Sequence, residues 1–93
     1  MNKTIWKFKL EVTDGQSIPM PIGAEILTVQ TQNDQPCLWA LVDPNAEVEN
    51  RYIEIFGTGH PVADKGIWRK YISSFQKRDG RLVFHVFENL NKG

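Results

Sequence analysis

The first clear pattern in the chain has a period of two. Trp6, Phe8, Leu10 and Val12 alternate with Lys7, Lys9 and Glu11, which predicts a strand with one dry and one wet face. Asp14-Gly15 then marks a tight turn. Ile18, Met20 and Ile22 alternate with Pro19 and Pro21. Proline has no N–H to give to a ladder, so this segment is predicted to be an edge strand or an extended connector. After Gly23, residues 24–32 are rich in Ile, Leu, Thr and Val and read as a strand. Residues 37–42 form an unbroken apolar run of strand length, as expected for a central strand covered on both faces. These two strands pair as a hairpin closed by the four residues Asn33-Asp34-Gln35-Pro36.

Asp43-Pro44-Asn45 ends that strand, because Asp before Pro disfavours helix and favours a turn. The acidic stretch 46–50 permits one helical turn. Residues 51–56 form the next strand, with Ile53 and Ile55 on one face and Tyr52, Glu54 and Phe56 on the other. A long excursion follows from Gly57 to Ile67. Residues 68–76 fit either period, and a strand is favoured because Tyr71, Ser73 and Phe75 alternate with Ile72 and Ser74. Lys77-Arg78-Asp79-Gly80 is a hairpin turn, and Leu82, Phe84 and Val86 then alternate with Val83, His85 and Phe87. A polar tail from about residue 89 is expected to fray. The pattern therefore predicts one all-β domain over residues 1–93: a small antiparallel sandwich or open barrel of six to seven strands with at most one short helix.

Composition narrows the function classes. With 93 residues, 41% of them hydrophobic, the chain has room for one core. No run approaches the roughly 18 apolar residues of a membrane helix, so no membrane association is expected. The start of the chain alternates instead of forming an apolar block, so no signal peptide is expected. A lone cysteine, Cys37, leaves no partner for an internal disulfide or a cysteine-based zinc site, and a reducing cytoplasm is the expected compartment. Eleven bases balance eleven acids, which disfavours a nucleic-acid-binding role. The charge is nonetheless segregated. From Glu11 to Glu54, eight acids face one base, a net −7; from Lys65 to Arg81, six bases face one acid, a net +5. Solvated faces are the plain account of this split. The alternatives are a basic patch for an anion or an acidic partner, or attraction between halves across a subunit interface.

Candidate chemistry centres on Gly57-Thr58-Gly59-His60. Two glycines let a backbone approach a ligand closely, and successive N–H groups in such a turn can form a concave anion site. Thr58 would add a hydroxyl and His60 a proton or a charge. The Gly-Lys-Ser/Thr ending of a phosphate loop is missing, and a tight turn capped by His60 is the plainer reading. Trp68 lies beside Arg69 and Lys70 in the basic segment, where an exposed ring can stack on a base or anchor a protein partner. His85 reads as a surface or interface histidine. His60 and His85 lack metal-ligand spacing, the serines sit in no nucleophile elbow, and Cys37 lies in an apolar run, so neither metal, cofactor nor catalytic residue is assigned.

Met20-Pro21-Ile22-Gly23-Ala24-Glu25-Ile26-Leu27-Thr28-Val29-Gln30, Leu38-Trp39-Ala40-Leu41-Val42-Asp43-Pro44 and Ile55-Phe56-Gly57-Thr58-Gly59-His60 resemble a small domain-of-unknown-function family of bacteriophages, prophages and other mobile elements. Residues 71–76 and 82–88 also fit its pattern. The resemblance implies a phage accessory protein of the bacterial host cytoplasm and brings no catalytic role with it. Such proteins often counter host defence, a link made by association alone. The leading expectation is a non-enzymatic, oligomeric binding protein that captures an anionic small molecule such as a nucleotide signal at an oligomer interface. Gly57, Thr58, Gly59 and His60 would supply the loop, Arg69 and Lys70 the charge, and Trp68 the stacking surface. The alternative is an inhibitor of a host protein; a small hydrolase centred on His60 and a virion component are weaker readings. Edge strands near Ile18 and Trp68 make a homo-oligomer the expected assembly.

Overall fold

The computed structural model describes residues 2–91. Seven strands run in the order β1 (Thr4–Lys9), β2 (Gly15–Pro21), β3 (Glu25–Gln32), β4 (Gln35–Val42), β5 (Val48–Gly57), β6 (Arg69–Lys77) and β7 (Leu82–Asn89). They form a three-stranded sheet, β1-β4-β3, and a four-stranded sheet, β2-β5-β7-β6, with every pairing antiparallel. The molecule measures 42 × 35 × 15 Å. Its short axis accommodates the two sheets roughly 10 Å apart, so it is sandwich-like.

The inner faces supply the core. Leu38, Ala40 and Val42 of β4 and Val29 of β3 meet Met20, Ile53 and Val86 of the other sheet, all fully buried or nearly so. The sheets approach most closely where β3 lies beside β6, and Ser73 Oγ donates to Val29 O at 2.9 Å. The apolar run in β4 is central in its sheet, as its pattern predicts, and the proline-bearing β2 is an edge strand.

Several local expectations are corrected. The β3–β4 turn has two residues, not four: Gln32 pairs with Gln35, and Asn33 and Asp34 adopt φ of 52° and 64°. Both residue types tolerate this left-handed region, which suits a tight hairpin. No helical turn occurs at 46–50, where β5 begins at Val48. The alternation in β6 is interrupted by a register shift between Tyr71 and Ser73. The extra residue, Ile72, turns Tyr71 outward beside Phe87 and Ser73 inward beside Val86, so the two do not share a face. The polar tail expected from residue 89 is tied down through residue 91. Asn89 is buried, Leu90 N donates to Trp68 O at 2.8 Å, and Asn91 Oδ1 accepts from Trp68 N at 2.6 Å. The last two residues of that expected tail lie outside the described residues.

Candidate functional site

β5 and β6 are both antiparallel to β7 and therefore parallel to each other. Parallel strands need a crossover, and the other sheet already covers the inner face. Residues 58–68 consequently cross the outer face of the four-stranded sheet. An open crevice of about 700 Å³ remains between the crossover and that face. His60, Pro61, Ala63 and Ile67 wall it from above; Glu54, Phe56 and Arg69 form its floor.

Arg69 thus lies near the glycine loop, but its charge is compensated. Its Nε donates to Glu54 Oε1 at 2.6 Å, and the two side chains are only 9% and 14% exposed. The guanidinium sits 5.3 Å above the Phe56 ring, which fixes its orientation. With Asp14 also at the crevice, two carboxylates face one guanidinium there, a poor setting for a multiply charged anion. Alternation along β6 separates Arg69 from the other two basic-segment candidates. Lys70 opposes Glu88 in the ladder and opens into a cleft of about 480 Å³ with Glu25, Arg51 and Glu88. Trp68 stands beside Leu90 and is 74% exposed.

The loop forms a second, smaller pocket of about 370 Å³ with the β6–β7 hairpin, lined by Thr58, His60, Arg81 and Val83 among others. Thr58 N donates to Val83 O at 3.1 Å, and His60 N to Gly57 O at 3.0 Å, so two loop amides are engaged internally. The Gly59 N–H has no partner among the described residues. Gly59 has a φ of +87°, a conformation that requires glycine. At Gly57, a Cβ would come within 3.2 Å of the His60 ring, so the missing side chain lets the imidazole fold back over the strand end.

His85, without an assigned role in the sequence pattern, is the histidine that partners Thr58. Thr58 Oγ1 lies 2.8 Å from His85 Nε2, and Tyr71 Oη lies 3.1 Å from His85 Nδ1. One assignment satisfies all three groups. The Tyr71 hydroxyl donates to Nδ1, Nε2–H donates to Thr58 Oγ1, and the Thr58 hydroxyl donates to Val83 O at 3.2 Å. Because Val83 O also accepts from Thr58 N, the hydroxyl can turn toward a ligand without leaving that carbonyl unpaired. The strand pattern carried part of this signal: His85 falls on the outward face with Phe87, and the register places Phe56 across from it. Arg81 carries no ion pair among the described residues.

A second charged pair lies on the inner side of the same sheet. Hydrogen bonding to Glu88 holds the Arg51 guanidinium above its ordinary value, outweighing the opposing effect of burial. Among the described residues no three His, Cys, Asp or Glu side chains are grouped to hold a metal, and no helix is long and apolar enough to cross a membrane.

No curated protein and no solved structure matches the chain. The two-sheet fold, with its glycine-loop crossover, spans residues that match one family throughout: over residues 1–93 the chain belongs to a domain-of-unknown-function family, DUF7352.

Proposed function

We propose that the protein is a non-enzymatic binding module that captures an anion-bearing small molecule, such as a nucleotide, in the pocket between the glycine loop and the β6–β7 hairpin. The observation that carries the reading is the convergence of Thr58, His60 and Arg81 on one pocket whose lining contains no carboxylate. The Thr58 hydroxyl and the Arg81 guanidinium supply donors, while Gly59 shapes the loop without lining the pocket, and charge-assisted bonds such as those of Arg81 are the strong ones. Arg81 takes the part that the sequence pattern gives to Arg69, whose charge Glu54 already answers. The phage origin, cytoplasmic setting, anti-defence role and self-association implied by the resemblance and the edge strands belong to this proposal too.

Calorimetry with inorganic phosphate and with cyclic and linear nucleotides tests it. Binding should weaken by about ten-fold or more in Arg81→Ala, the loss expected for one charge-assisted bond. Absence of binding across the panel at high concentration refutes the reading.

A second reading has its own observation. Trp68 is held by hydrogen bonds at both its backbone N–H and its carbonyl, yet the residue is 74% exposed beside Leu90, which is 56% exposed. A pre-positioned exposed indole is a common anchor for a protein partner. If the protein is an inhibitor of a host protein, Trp68→Ala abolishes capture of one stable partner from bacterial lysate, nucleotides do not compete, and Arg81→Ala has no effect.

A further inference from the structure

The larger crevice differs chemically from the loop pocket. Its floor holds a charge-compensated pair, Glu54 and Arg69, with side chains 14% and 9% exposed. Only one bond joins them, from Arg69 Nε to Glu54 Oε1. The second Glu54 oxygen and the Arg69 Nη groups have no protein partner among the described residues. No buried side-chain polar atom there lacks a partner, so these valences are reached by solvent, and both residues line the crevice. The result is an acceptor and a fork of donors side by side, held on strands and steadied by the Phe56 ring beneath the guanidinium. Apolar walls from Pro61 and Ile67 flank them. Small-molecule sites commonly have this composition: a largely apolar crevice with a few fixed polar groups.

We infer that this crevice is a subsite for an uncharged planar body with an adjacent hydrogen-bond donor and acceptor on one edge, the chemistry of a nucleobase or a cyclic amide. The Glu54 oxygen accepts the ligand's N–H, and an Arg69 Nη donates to its carbonyl. A neutral edge suits the site because the crevice already carries two carboxylates against one guanidinium. The crevice and the loop pocket share Gly57, His60 and Phe84. One molecule can therefore place its planar body under the crossover and its anionic group beyond His60. That last link rests on the proposed anion site; the subsite itself does not.

Amide and side-chain NMR of the whole protein separates the two claims. Probes are uridine and guanosine, which lack phosphate, and inorganic phosphate alone. Nucleosides are expected to shift the Arg69 Nε–H resonance and the Phe56 amide with a Kd at or below about 1 mM, the range for ligands of this size. Phosphate is expected to shift Thr58, His60 and Arg81 and leave Arg69 unmoved. Glu54→Gln keeps the shape of the floor and should weaken nucleoside binding about ten-fold while sparing the phosphate response. A nucleoside response without a phosphate response supports the subsite and refutes the anion site. A phosphate response alone refutes the subsite. Nucleoside affinity unchanged in a folded Glu54→Gln, checked by its amide dispersion, also overturns the inference.

Discussion

Two arginine–glutamate pairs lie on opposite faces of the four-stranded sheet, and they are built differently. On the inner side, Arg51 uses its guanidinium fully. Nε and one Nη engage both oxygens of Glu88, and the other Nη donates to Ala24 O at 2.8 Å. Glu49, 3.9 Å away, in turn accepts from Gly23 N. This pair clamps β5 to β7 and pins the β2–β3 connection. On the outer side, Arg69 makes one bond to Glu54 and leaves its other donors toward the crevice. A saturated pair has nothing left to offer a ligand. A singly bonded pair beside a cavity has directional groups already held in place, which lowers the ordering cost of recognition.

The largest expected effect comes from breaking the saturated clamp. Glu88→Gln leaves the Arg51 guanidinium with only the more distant and more exposed Glu49 to answer its charge, and removing one partner of a buried pair costs up to about 3–5 kcal/mol. Urea unfolding should show a lower midpoint with an unchanged slope. Replacing both partners, as Arg51→Met with Glu88→Leu, should recover most of that loss, because two apolar side chains carry no stranded charge. If Glu88→Gln costs under about 1 kcal/mol, the clamp is not what holds this corner.

The outer pair should respond less. Glu54→Gln alters a pair joined by one bond where Glu88→Gln alters one joined by two, and the crevice lets water reach the guanidinium, so a loss of about 1–2 kcal/mol is expected in the same assay. A loss as large as that of Glu88→Gln would mean that the outer pair is a second structural clamp, and the contrast between the faces would collapse.

Most of the strand pattern was legible because period-two alternation is local. Ile53 and Ile55 face the core and Tyr52, Glu54 and Phe56 face outward, as their spacing predicts. Legibility failed where one residue changes the count. Ile72 in the β6 bulge reverses the faces of Tyr71 and Ser73, and nothing in its own identity announces that. The site was half legible. The glycine loop stands out by composition, but its neighbours are set by pairings distant in sequence. Arg81 joins the loop because Gly57 pairs with Phe84, and His85 meets Thr58 through the same register. Arg69 and Lys70 are adjacent in sequence and yet point to opposite faces, so reading the basic segment as one patch merged two surfaces.

Lys70 gives the finest test of that separation. It lies directly across from Glu88 in the β6–β7 ladder but makes no ion pair with it, whereas both Glu88 oxygens accept from Arg51. Glu88 thus has two cationic neighbours, one enclosed and bonded, the other exposed and unbonded. Lys70→Ala is expected to change stability by no more than about 0.5 kcal/mol, as for surface substitutions that break no specific contact. Ligand affinity should also be unchanged, since Lys70 opens into neither the crevice nor the loop pocket. A clear fall in phosphate binding in Lys70→Ala would show that the basic segment acts through long-range charge instead of the Arg81 contact. Raising ionic strength to 0.5 M, where screening acts within about 5 Å, would then erase binding in both the parent and the Arg81→Ala variant to the same extent.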